Sequence, residues 1–137
     1  MDTFNLLKVS ASAMAAQRER MNVIASNMAN INSTRTEEGG PYVRRDVIFS
    51  TIPIKENPTE LVGVEAEEIV RDNRPPRMVY DPGHPDADKD GFVAMPDINV
   101  IEEMVNMMTA FRAYEAAVAT FNTSKTLFMK TLELGKQ

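Results

Sequence analysis

The sequence predicts a mainly α chain with a small β region. Two long terminal helices, paired in coiled-coil fashion, flank an acidic middle of short strands. Breaker placement and charge both point this way. All 8 prolines of the 137 residues lie between Pro41 and Pro96, and 5 of the 6 glycines lie between Gly39 and Gly91. Helix breakers therefore avoid both ends. Residues 37–99 hold 7 basic and 14 acidic groups, whereas the flanks are near neutral and the whole chain carries a formal -5. The chain divides into residues 1–36, 37–97 and 98–137.

In the first segment Phe4, Leu7, Ala11, Met14, Arg18, Met21, Ala25 and Met28 alternate three and four residues apart, with Arg18 the one charged position. That spacing is the seam of a coiled-coil-like helix. Asp2 and Thr3 suit its first turn, and the pattern fails at Asn32-Ser33-Thr34, so the helix is expected over about residues 3–31.

The last segment repeats the design. Val100, Met104, Met107, Phe111, Tyr114, Val118, Phe121, Lys125, Phe128 and Leu132 predict a helix over residues 98–134 that packs on the first. Asp97 and Asn99 are N-cap candidates, Glu102 and Glu103 fall in the first turn, and Gly135 offers a stop. Both stripes use Met, Ala and Phe, and Met is the most adaptable of core residues. Asn22, Asn27, Asn30 and Asn32 crowd the end of the first helix, although Asn is a poor helix former. Soft seams with embedded amides suit a dense array of helices rather than an isolated pair, so the ends are expected to fray in a free monomer.

Between the helices, residues 42–52 form a β-branched and aromatic run bounded by Gly39-Gly40-Pro41 and Pro53. Leu61 to Val70 is a second strand candidate, and Arg77–Tyr80 and Phe92–Met95 are shorter ones joined through turn formers. Some sixty residues of short strands cannot bury a large core unaided, so this region leans on the helices or on neighbours.

Composition excludes several functions. With no Cys there is no disulfide framework, Cys-ligated zinc or thiol nucleophile, and a single His rules out a His cluster within one chain. The acidic balance argues against nucleic-acid binding. The N-terminus does not read as a signal peptide, and no stretch reaches the ~20 apolar residues of a membrane span. Asp86, Asp88, Asp90 and Gly91 echo a calcium loop, but its twelfth place holds Asp97 and prolines occupy both flanks, so the segment reads as a hairpin turn. His84, between Gly83 and Pro85, reads as a solvated turn residue. Glu67-Glu68 and Glu102-Glu103 read as solvated faces or first-turn acids, and Arg44-Arg45 as a basic pair on an exposed strand. No catalytic residue, metal, cofactor or small-molecule substrate is expected. A soluble coiled-coil adaptor is the alternative these residues allow.

Three separated stretches resemble one family. MNVIASNMANINSTRTEEGGPYVRRDVIF looks like the hallmark segment of bacterial flagellar rod and hook proteins. The mid-chain YDPGHPDADKDGFVAMPDIN and the C-terminal EMVNMMTAFRAYEAAVATFNTSKTLFMKTLELGK resemble the smallest proximal-rod type. Phe111, Ala117 and Met28 replace the small residue, Asn and Leu that are usual there. The resemblance implies an axial structural subunit whose terminal helices form the inner tube of a helical rod. Such a rod crosses the periplasm, transmits torque and encloses an export channel. Subunit-packing residues are then expected among Phe4, Leu7, Ala11, Met14, Met21, Ala25 and Met28 on one helix, and Met104, Met107, Phe111, Arg112, Tyr114, Val118, Phe121, Phe128 and Leu132 on the other. Asn22, Asn27, Asn30 and Asn32 are the motif amides. The implied partners are further copies, other rod proteins, the flagellar type III export apparatus and the basal-body ring at the rod base, reached without a cleaved signal.

Overall fold

Two long helices and two β-hairpins make up the chain, in a computed structural model that describes residues 3–54 and 62–135. They run α1 (Thr3–Ala29), β1 (Arg45–Pro53), β2 (Val62–Arg71), β3 (Arg77–Tyr80), β4 (Phe92–Met95) and α2 (Val100–Leu134). Each element falls on its sequence candidate; Asp2 and Leu61 lie outside the described residues.

Local chemistry sets the ends. Asn99 caps α2, its side-chain oxygen accepting from the backbone N–H of Ile101 at 3.0 Å. Asp97 is not the cap; it faces Arg74 at 3.6 Å. Gly135 follows the last helical residue but stays right-handed (φ -76°), and its N–H reaches Thr131 O. At the end of α1 the Asn30 amide donates to Ser26 O at 2.9 Å and accepts from Ser33 Oγ at 3.0 Å. An Asn that is costly inside a helix here closes one.

α1 lies between α2 and the β1–β2 hairpin, and among the described residues no strand packs on α2. The hairpin is antiparallel from Arg45↔Arg71 to Pro53↔Val62, with a bulge at Ile48/Phe49. It docks on α1 where Val64 N–H donates to Ser12 Oγ at 3.1 Å. Gly63 makes the approach possible, because a Cβ there would sit 2.7 Å from that oxygen. The second hairpin pairs Arg77↔Met95 through Tyr80↔Phe92. Its turn is held by Asp88 Oδ1, which accepts from Asp90 and Phe92 N–H, and by Gly91 at φ +84°. Asp86 points elsewhere, to Thr34 Oγ1 at 2.8 Å and to Arg35, tying the turn to the loop after α1.

The helices meet along rows other than the two predicted stripes. Fully buried on α1 are Asn5, Ser10, Ala16, Val23, Ile24 and Asn27. Phe4, Ala11, Arg18 and Ala25 are exposed, and Leu7, Met14, Met21 and Met28 half-buried. On α2 the buried positions are Glu103, Ala110 and Ser124, with Ala117 half-buried on the same heptad row. Met107, Tyr114, Phe121 and Phe128 flank that row, while Met104, Phe111 and Leu132 stay exposed. Several rows of an Ala-rich helix share the 3–4 spacing, and spacing does not choose among them. Small side chains at Ala16, Ala110 and Ser124 let the backbones approach, while the Met and Phe side chains of the stripes stay half-buried or exposed.

Candidate assembly interface

Three segments converge on Asn27, which is fully buried. Its amide donates to Arg45 O at 2.8 Å and to Glu103 Oε2 at 3.0 Å. Its carbonyl accepts from Arg45 N–H at 2.9 Å and from Tyr42 Oη at 3.0 Å. Every hydrogen-bonding group of the side chain is used, which is what a buried amide requires. Glu103, 1% exposed, receives Arg44 Nε on its other oxygen at 2.6 Å. Arg44 NH1 also reaches Asp46 at 3.3 Å. Burial works against the Arg44 charge, but the hydrogen bond and charge of Glu103 outweigh it and hold the guanidinium above its usual range. Beside it, the Arg74 hydrogen bond holds the Asp72 carboxyl below the ordinary range.

This knot corrects two expectations. Glu103 is not a solvated first-turn acid, and Arg44 is not on an open strand surface. A row of small residues at heptad spacing from Glu103, namely Ala110, Ala117 and Ser124, is the signal that marks it as inward. Nothing in the sequence marks Arg44 apart from Arg45. Of the four motif amides, Asn27 builds the knot, Asn30 closes the helix, and Asn22 and Asn32 are exposed.

The other side of α2 is bare. Ile101, Val105, Met108 and Phe111 form an apolar row on it, with Met108 63% exposed. Arg112 stands exposed beside them. Ile101, Val105 and Met108 were not among the predicted packing residues, because the sequence stripe follows the neighbouring row. Farther along, Leu127, Met129, Leu132 and Leu134 are also uncovered. Large apolar patches on a chain of this size mark a contact surface. Among the described residues no group of three or more His, Cys, Asp or Glu is arranged to hold a metal. A fold in which α2 and the first hairpin cover α1 while one side of α2 is left bare has the build of a structural subunit.

Comparison with known proteins gives the class its particular family. Residues 7–35 match the flagella basal body rod protein model, and residues 89–134 match the C-terminal model of the flagellar basal body rod FlgEFG proteins. The chain is 42% identical to the flagellar basal-body rod protein FlgC of Yersinia enterocolitica, over 99% of this chain and 100% of that one. It is 43% identical to FlgC of Aquifex aeolicus, over 99% of both chains, and 38% identical to FlgC of Borreliella burgdorferi, over 98% of both. The chain belongs to the flagellar basal-body rod protein family. It is a structural subunit and not an enzyme, and its place is the basal body, among the other rod components.

Proposed function

We propose that the chain polymerises helically through its terminal helices into a shaft that transmits torque and encloses an export channel. The two helices of a subunit form one coiled-coil-like unit, and their bare rows face neighbouring subunits and other rod proteins. The observation that carries this reading is the apolar row Ile101, Val105 and Met108, which the described residues leave exposed on the side of α2 away from α1. Water-exposed apolar surface of that extent is offset only by burial against another chain.

The shaft crosses the periplasm, starting at the basal-body ring at its base, and the flagellar type III export apparatus delivers the chain. The absence of Cys fits a periplasmic setting in which nothing need stay reduced. Val105→Glu with Met108→Glu tests the reading. Both side chains are exposed, so the monomer's melting temperature should hold while incorporation into purified basal bodies and motility are lost. Normal incorporation of that double variant sinks the proposal. A stable helical dimer at micromolar concentration points to the adaptor instead.

A further inference from the structure

The bare side of α2 carries two thioethers at its centre. Met104 and Met108 are four residues apart, a spacing that puts both on one side of the helix, among Ile101, Val105 and Phe111. Met104 is 48% exposed and Met108 63%. Met107, between them in sequence, flanks the buried row and is half-buried. Met78 and Met129 are the other exposed methionines among the described residues, and the rest are half-buried.

The chain has no Cys and no Trp, so a peroxide meets the thioethers as its most readily oxidised groups. When a thioether sulfur attacks hydrogen peroxide, the O–O bond breaks and an S–O bond forms. One oxygen stays on sulfur as the sulfoxide, and the other leaves with both hydrogens as water. Sulfur gives up two electrons, and the peroxide takes them. A flexible apolar side chain thereby becomes a polar one with a strong acceptor. Facing water, that acceptor is well solvated. Pressed against a neighbouring chain it needs a donor, and a buried acceptor without one is costly. The hydroxyl next to Met108 in sequence, that of Thr109, already donates to Val105 O at 2.9 Å.

We propose that Met104 and Met108 form an oxidation site that controls the bare face of α2. Hydrogen peroxide converts them to sulfoxides in the free subunit and closes that face to its neighbours, and reduction of the sulfoxides reopens it. The reaction is confined to the free subunit, because a neighbour that covers the face also covers the sulfurs. The inference rests on the polymerisation reading above and adds a control to it. Both side chains stand in solvent, so an oxidised monomer keeps its melting temperature.

Graded hydrogen peroxide on the purified full-length chain, followed by peptide mass mapping, tests the site. Met104 and Met108 should oxidise roughly fivefold faster than Met107 and Met95. Rates equal to those of Met107 overturn the inference, as does a fall in melting temperature that tracks sulfoxide at the two positions. In cells, incorporation into basal bodies under sublethal peroxide is divided by that of the same strain without peroxide. The ratio should fall several-fold for the parent chain and hold for Met104→Leu/Met108→Leu, while Met78→Leu/Met129→Leu follows the parent. The single Leu variants take the place of the double one if it fails to incorporate. Equal ratios for the parent and Met104→Leu/Met108→Leu, or relief by Met78→Leu/Met129→Leu, overturn the inference and leave the polymerisation reading intact. Normal incorporation of Val105→Glu/Met108→Glu removes that reading instead.

Discussion

At the scale of single residues, the chain's identity as a three-segment unit rests on Asn27, Arg44 and Glu103. Removing one member of a buried ion pair leaves an uncompensated charge, whereas replacing both with apolar groups does not. Glu103→Leu and Arg44→Met alone are therefore each expected to cost about 3 kcal/mol, and the two together much less than the single changes combined. Urea midpoints of the four proteins form the cycle; additive losses would show that the pair is uncoupled. Asp86 makes a second, weaker tie. The Thr34 hydrogen bond, and then Arg35, hold its carboxyl below the usual range. The unfolded chain binds that proton first, near pH 4, so the tie is complete above that value. It is lost as pH falls through the lowered folded value. Acidification below pH 4 should thus free the 81–92 turn from the loop after α1, read as faster amide exchange at Ala87 and Asp88; unchanged exchange down to pH 2 would count against the tie.

At the scale of elements, docking of the first hairpin turns on one glycine. Gly63→Ala forces a methyl to within 2.7 Å of Ser12 Oγ and 3.0 Å of Ile54 Cδ1. Overpacking of this kind costs about 1–3 kcal/mol. The β1–β2 ladder itself survives, but exchange at Val64 should rise as the strand lifts from α1. Protection equal to the parent's would show that α1 gives way at no cost. The elements were legible in the sequence because their signals are local: breakers concentrated in residues 39–96 with Gly135 the exception, β-branched runs, and Asn99 before Glu102 and Glu103. The faces were not. Which row of α1 turns inward is decided by Ala16, Val23 and Asn27 meeting α2 and the hairpin, a tertiary choice among rows of equal period. The predicted Met and Phe stripes are real but lie beside or opposite the internal seam. Glu103 and Arg44 escaped notice for the same reason, since charged residues read as solvated until a partner 59 positions away is seen.

At the scale of the whole molecule, α2 is covered along one side only, and beyond Ser124 none of its described residues is buried. Ordering a residue's backbone costs about 1–2 kcal/mol, and apolar burial must offset it. In a free subunit both terminal helices are expected to exchange faster than the middle between Gly39 and Met95, and residues 125–134 fastest of all. Slow exchange throughout residues 5–30 and 102–132 at low concentration would show that the helices need no neighbours. Salt should matter little to this balance, because the Arg44–Glu103 pair is buried from it and exposed ion pairs contribute little.

The hydrogen bond from Asn27 to Glu103 joins positions 76 residues apart. Closing a loop of that length costs about 4 kcal/mol in chain entropy before any contact forms. The first helix thus has its partner only when the last quarter of the chain is present, whatever the order in which the chain arrives. Until then α1 has the β1–β2 hairpin to pack on, and its pairing with α2 is the late step of folding. Contacts this far apart in sequence also slow that step relative to a local helical hairpin. The delay keeps an incomplete chain from adopting a shape that a complete one needs.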